Sequence, residues 1–406
     1  MKTLYLCYFG LLEPLVQTQV LPYLRALSAD GIPVTLLTFE PDARRRWPRE
    51  AADEWRRRLE ADGIRWVFRV YHKRPSALAT AYDIVVGAWA AAQLIRRERI
   101  EVLHARSHVP LAMALLARNA APCRLVFDLR GLMAEEYAAS GVWGDGSLRF
   151  RAVKWVERMG LRRADGIVVL TERLRGWLAG SGLADGARIH VIPCCVDVER
   201  FGNGAPRPAV QRRFEIVYVG SVTGLYLLEE MARFFLAFRT LEPDAVLRIL
   251  TCGDAVAAGL SLDRLGVPAE SRWIGSVPPS DIPAQLRRAR LGLSFRRPTF
   301  AQVAACPTKI PEYLAAGLPV VSNEGIGDVD HLLTDLGVGV VVRRFDPQEY
   351  ADAALRARSL AQEPGISDRC TAAAREHFDL ERIGGARYRA LYRGLNRREP
   401  ACAPRG

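Results

Sequence analysis

Short runs of β-branched and aromatic residues alternate with longer segments of helical period along most of the chain. That alternation admits few folds, because it is the signature of parallel strands joined by crossover helices. The pattern predicts strands near 2–8, 33–39, 64–70, 101–105, 123–128, 166–170 and 189–192. It then restarts, with FEIVYV at 214–219, AVLRILT at 245–251 and further runs at 272–274, 290–295, 319–322 and 338–342. Between the two series, residues 195–213 hold Gly202, Asn203, Gly204, Pro206 and Pro208 with few apolar residues, the composition of a linker. The expected organisation is one α/β domain at 1–200, a linker at 201–213, a second α/β domain at 214–375 and an arginine-rich helical tail at 376–406 packing back on the first domain. Doubly wound sheets bind ligands beyond the carboxyl ends of their strands, so function is expected in loops after strands and in a cleft between the domains.

Half of the 406 residues are apolar and a quarter charged, which excludes collagen-like, disordered and small disulfide-scaffold chains. The net charge is +12, but 53 of the 57 basic residues are arginine, a skew that genomic base composition explains as well as an anionic partner does. Half of that net charge lies in residues 44–74, with 11 basic and 5 acidic residues. Trp47, Trp55 and Trp66 among those arginines suit an anionic membrane surface, and equally a solvated amphipathic helix with pairs such as Arg56 and Glu60. Cys7, Cys123, Cys194, Cys195, Cys252, Cys306, Cys370 and Cys402 form no CxxC and no Cys/His zinc spacing, as in a reduced cytoplasmic protein. MKTLYLCYFG is too short for a signal peptide's apolar region, and no apolar run approaches the roughly 18 residues of a membrane span, so a soluble or peripheral chain is expected, not an integral one.

Two loops invite chemistry. Gly220-Ser221-Val222-Thr223-Gly224 follows a strand and precedes a helix expected near Tyr226; its amides suit a diphosphate, although such turns are structural about as often. Gly10, after the first strand, has the same two readings. In CPTKIPEYLAAGLPVVS at 306–322, Pro311 opens a helix, Gly317 ends it and Pro319 opens a buried strand. Glu312 therefore lies in a first helical turn, where a carboxylate can accept from a ribose diol or simply stabilise its own helix. Lys309, one of only four lysines, lies just outside that helix, placed to meet a phosphate. Asp328-Val329-Asp330 matches a metal-binding DxD, but its position before HLL reads better as a helix cap.

PTKIPEYLAAGLPVV, VIPCCVDVERF at 191–201, IVYVGSVTGLYLLEEM at 216–231 and IGSVPPSDIPAQLRRARLGLSF at 274–295 together resemble the glycosyltransferases of family 4, which have the GT-B fold. HARSHVP at 104–110 and FDLRGLMAEE at 127–136 resemble a branch acting in surface polysaccharide assembly. The resemblance implies two Rossmann-like domains facing across a cleft and transfer of a sugar from a nucleotide-diphosphate donor with retention of configuration and without a metal or other cofactor. It implies that Glu312 contacts the ribose and that backbone groups between Ile274 and Val277 hold the base. Gly220, Ser221 and Gly224 would then face the diphosphate. The chain departs from the family at Ala304, where a first carboxylate is usual, at Ser221 and the following residues, where Arg and Lys are usual, and at Asp128, where a histidine is common. Lys309 and then Arg296 and Arg297 become the expected phosphate cations, beside Thr308.

Asp128 ends the buried run LVFD and would point into the cleft to orient or deprotonate an acceptor hydroxyl, or would pair with Arg130 or cap a helix. Arg106 and His108 after the preceding strand, with Arg130 and Glu135, complete the expected acceptor side, together with Gly10. The acceptor implied is a glycan or lipid-linked precursor at the inner face of the cell membrane, with residues 44–74 as a peripheral contact. The competing readings are a non-catalytic or isomerase-type protein of the same fold, and a basic nucleic-acid-binding protein, for which no reading motif is present.

Overall fold

The computed structural model describes residues 1–72, 74, 76–202 and 213–397. Most of the expected linker, Lys73 and Cys402 lie outside them. The chain forms two compact units, Met1–Pro193 with Gly384–Gly406, and Cys194–Ile383. The second unit starts at Cys194 because the next residues are already tied into it. Val196 donates its N–H to Phe378 O at 2.8 Å and accepts from Leu380 N at 3.0 Å.

The first unit holds a seven-stranded parallel sheet built from β1 (Thr3–Cys7), β2 (Val34–Glu40), β3 (Ile64–Val70), β4 (Val102–Arg106), β5 (Arg124–Asp128), β6 (Gly166–Val169) and β7 (Ile189–Val191), in the order β3-β2-β1-β4-β5-β6-β7. β1, β2 and β4 are buried along their whole length, as strands covered by helices on both faces must be. The register pairs Cys7 with Arg106 and Arg106 with Asp128, so these three side chains share one level at the carboxyl ends of β1, β4 and β5.

The second unit holds β8 (Glu215–Val219), β9 (Val246–Leu250), β10 (Arg272–Gly275), β11 (Leu291–Ser294), β12 (Val320–Asn323) and β13 (Gly339–Val342) in a parallel sheet ordered β10-β9-β8-β11-β12-β13. Phe234, Phe235 and Phe238 of the helix Leu228–Arg239 fill one face with Phe295, all fully buried. Tyr313 and Leu314 of the helix Lys309–Ala315 fill the other. That helix begins at Lys309 itself rather than after it, with Thr308 as its N-cap.

Two expectations about the surface are corrected. Trp47 and Trp66 are 6% and 3% exposed and lie ring to ring at 4.7 Å, so two of the three indoles expected at a membrane surface are in the core, while Trp55 stays half-buried under Arg58. Trp47 is drawn in by its Nε1, which donates to the buried Glu40 carboxylate at 2.9 Å. Trp66 occupies an inward position of β3, where the pleat alternates sides. Secondly, the helix Ser76–Glu98 is long and apolar enough by length and composition to cross a membrane, contrary to the reading of the sequence. The run was masked by the single Asp83, which is fully buried.

The C-terminal helix Ala386–Arg397 belongs to the first unit. Tyr388, Leu391, Tyr392 and Leu395 are buried, and Arg387 donates to Val191 O at 2.8 Å.

Candidate functional site

In the second unit the carboxyl ends of β8, β11 and β12 are adjacent, and they gather the loop after β8, Arg296 after β11 and the helix starting at Lys309. Gly220 takes φ of +134°, a backbone conformation that side-chain-bearing residues rarely adopt, and a Cβ there would lie 3.3 Å from Lys309 Nζ. Glycine thus lets the loop approach the ammonium. The Tyr218 hydroxyl donates to Ser221 O, and Thr223 N donates to Ser221 Oγ at 3.3 Å, so the turn is held from beneath and within. The N–H groups of Ser221 and Val222 have no hydrogen-bond partner among the described residues.

Lys309 is 5% exposed, and its ammonium lies 4.0 Å from the ring centre of Tyr226 and 5.0 Å from that of Tyr218. It has no ion-pair partner among the described residues. Burial, with the Arg296 guanidinium nearby, pushes its pKa down to about 7. Arg296 is 9% exposed: its guanidinium is 5.0 Å from the Tyr226 ring centre, its Nε donates to Gln302 Oε1 at 2.7 Å and its Nη1 to Tyr226 Oη at 3.3 Å. Two cations therefore share one aromatic ring with neutral hydrogen-bond partners only. Glu312 keeps some exposed surface, but desolvation of its carboxyl pushes its pKa up to about 7 against the opposing pull of Lys309. Positive charge is concentrated here at a desolvation cost that an arriving anion would offset.

The helix carrying Lys309 and Glu312 is pinned by Tyr313, whose hydroxyl accepts from Val219 N at 2.8 Å and donates to Leu293 O at 3.2 Å. Thr308 is partly buried, and its hydroxyl makes no hydrogen bond among the described residues. Ile274 and Val277 flank the end of β10, half-buried, and Gly275 O accepts from Thr251 N at 2.8 Å. Ala304 is fully buried in the turn Phe300–Ala304, so a carboxylate at this position would be cut off from water. Tyr218, Tyr226 and Gln302 were not singled out from the sequence. Their only signal is an aromatic or amide in an otherwise apolar run, which reads as core.

In the first unit Asp128 does not point to solvent. It is fully buried, with Tyr388 Oη at 3.2 Å, Arg106 Nη1 at 3.3 Å, Tyr5 Oη at 3.4 Å and Arg130 Nη1 at 3.5 Å. Burial works against its charge, but Arg130, the His104 ring, whose Nε2 lies 3.7 Å away, and Arg106 outweigh it and hold the carboxyl well below the usual carboxylate range. A carboxylate so enclosed holds its own cluster of cations and tyrosines together, the pairing with Arg130 that was the alternative to a role at the acceptor. The sequence reading missed that the tail would supply Tyr388. Arg106 is spent on the same ion cluster. His108 is 2% exposed and shares Glu157 with Lys154, at 3.0 Å for the histidine, while Lys154 also reaches Glu135 at 2.7 Å. Gly10 packs on Glu40: a Cβ there would lie 2.8 Å from the Glu40 carboxylate, whose other oxygen accepts from Leu11 N at 2.8 Å. The acceptor-side residues of the sequence reading thus fall into two buried ion clusters and one close-packed turn.

In the DxD segment Asp328 is the N-cap residue of the helix Val329–Asp335, without a side-chain cap hydrogen bond, and Asp330 instead accepts from Gly325 N at 2.8 Å.

Two family models match, Glycosyltransferase Family 4 over residues 16–200 and Glycosyl transferases group 1 over 213–359. No curated protein matches the chain. Among solved structures, HepE from Anabaena in complex with UDP and glucose is 16% identical, with 97% of this chain and 99% of that one covered at a TM-score of 0.67. Sucrose-phosphate synthase from Thermosynechococcus elongatus is 14% identical over 97% and 99%, TM-score 0.70. A trehalose-6-phosphate protein from E. coli bound with UDP-2-fluoro glucose is 14% identical over 99% and 100%, TM-score 0.68. The fold is that of the GT-B glycosyltransferases.

Proposed function

Because the chain belongs to the glycosyltransferases, to family 4 over its first half and to group 1 over its second, we propose that it transfers a sugar from a nucleotide-diphosphate donor, with retention of configuration and without a metal, to a glycan or lipid-linked acceptor at the cytoplasmic face of a membrane. The observation that carries this reading is the pair of buried cations, Lys309 and Arg296, around Tyr226, facing the glycine loop after β8. A diphosphate supplies the anion that this arrangement lacks, and the Ser221 and Val222 amides supply donors to its oxygens. Glu312 accepts from the ribose hydroxyls, and the loop from Ile274 to Val277 meets the base. Since Anabaena HepE and the E. coli protein were solved with uridine nucleotides, uridine diphosphate sugars are the donors to try first.

In the reaction the bond between the anomeric carbon and the phosphate oxygen breaks, with its electron pair leaving on the diphosphate. The acceptor oxygen bonds the anomeric carbon from the same face, and its proton passes to the departing phosphate oxygen. With Asp128 enclosed in its ion cluster, that oxygen is the proton acceptor this reading retains. Lys309 and Arg296 stabilise the developing negative charge, the term expected to dominate the rate enhancement. A panel of nucleotide sugars assayed for nucleoside diphosphate release, in chelator and with Lys309→Gln in parallel, tests the proposal. Turnover of one donor that survives chelation and falls about 100-fold or more in the variant supports it. Turnover that needs a divalent metal, or is unchanged by the substitution, overturns it.

A further inference from the structure

We propose that the outer face of three helices in the first unit, Ser76–Glu98, His108–Ala117 and Leu148–Arg163, docks on an anionic lipid bilayer. The helices follow β3, β4 and β5, and right-handed crossovers place all three on one side of the sheet. They pack side by side. A Cβ on Gly87 would lie 2.5 Å from Met113 Sδ, and one on Gly160 would lie 2.4 Å from Leu111 Cδ2.

The outward side of this layer is unusually apolar. Leu78, Tyr82, Val85 and Trp89 are 72%, 57%, 64% and 59% exposed. Their spacing aligns them on one stripe of the first helix, roughly 16 Å long at helical rise. The middle helix contains no Asp, Glu, Lys or Arg and leaves Leu116 55% exposed. On the third helix Leu148 and Trp155, 82% and 62% exposed, fall in line with the exposed Arg151, Arg158 and Arg162.

Charge decides which partner fits. The carboxylates of these helices are turned inward: Asp83 is bonded to Tyr8 and His72, Glu157 to His108 and Lys154, and Glu98 to Thr35 and Arg65. No exposed carboxylate remains among them. Arg149, Arg151 and Arg158 have no ion pair among the described residues, and Arg74 and Arg96 are exposed at the two ends of the apolar stripe. An anionic headgroup region takes indoles, aliphatic side chains and guanidinium groups together. A second copy of the chain would set the third helix's arginines against one another. The first helix lies on the membrane rather than crossing it, because Asp83 and the close contact at Gly87 hold it to the sheet. This surface does not depend on which reaction the second unit performs.

Flotation with vesicles of phosphatidylcholine, alone or mixed with phosphatidylglycerol, tests the proposal, with circular dichroism melting as the folding control. Binding is expected to the mixed vesicles, weakened about tenfold or more by Arg151→Glu with Arg158→Glu and lost in Val85→Asp with Trp89→Asp. Arg57→Glu, in the arginine-rich segment whose sequence suits a membrane surface and a solvated helix equally, is expected to leave binding unchanged. Should the apolar variant unfold, quenching of the unmodified protein's tryptophan fluorescence by brominated lipid decides the matter: quenching that Trp89→Phe with Trp155→Phe diminishes supports the proposal, and its absence overturns it. Failure to bind mixed vesicles overturns it as well, as does a folded Val85→Asp, Trp89→Asp variant that still floats. Dissociation of a dimer by that variant, with no vesicle binding by the parent, would assign the face to a second copy.

Discussion

Lys309 is the residue on which the proposed donor site depends most. Its pKa of about 7 means that the ammonium is lost as pH rises through neutrality, while a bound diphosphate favours the charged form. Binding above that pH must therefore take up a proton. Affinity for a nucleoside diphosphate should be insensitive to this group below about pH 7 and fall by up to about tenfold per pH unit above it. Calorimetry in buffers of different ionisation enthalpy would register the proton, and Lys309→Gln should remove the lysine's share of uptake and slope, leaving that of Glu312, whose pKa is also about 7. Asp128 is the opposite case, a residue whose chemistry serves structure. Asn in its place leaves Arg106 and Arg130 without their carboxylate, a loss of about 3–5 kcal/mol in urea unfolding. Because its folded pKa is depressed, its contribution to stability is complete above the ordinary carboxylate range and is lost as pH falls toward the folded value.

Among elements, the helix Lys309–Ala315 depends on one tyrosine. Tyr313→Phe deprives the Val219 N–H of its acceptor, which should cost about 1–3 kcal/mol of stability and loosen the start of the helix where Lys309 sits. Melting temperature and nucleotide affinity should fall together, whereas a tyrosine that only filled space would change neither. The strands were legible because buried parallel strands leave uninterrupted β-branched runs such as VTLLTFE and GVVV. The helix start at Lys309 was less so, since Pro311 is also at home one or two positions inside a helix. The burial of Trp47 and Trp66 was not legible at all. It depends on Glu40, a carboxylate inside the sheet that accepts from the Trp47 indole, and composition places a tryptophan among arginines at the surface by default.

For the whole molecule, two tandem α/β series, the glycine loop, Lys309 and Glu312 were readable along the chain because each depends on local order: a strand, a turn and the first residues of a helix. The environment of Asp128 was not, because Tyr388 arrives from 260 positions away and no local pattern announces it. The ring that Lys309 and Arg296 share was hidden for the same reason, Tyr226 and Arg296 meeting through an isolated bridge between distant loops. Under the proposed function this buried cation pair receives a diphosphate. The most direct test is a calorimetric titration of the full chain, in chelator at pH 6.5, with uridine diphosphate and the other nucleoside diphosphates in turn, repeated on Lys309→Gln. One of them is expected to bind, and the substitution to weaken that binding about tenfold or more. Equal affinity of the variant, or no binding by any nucleoside diphosphate, would contradict it.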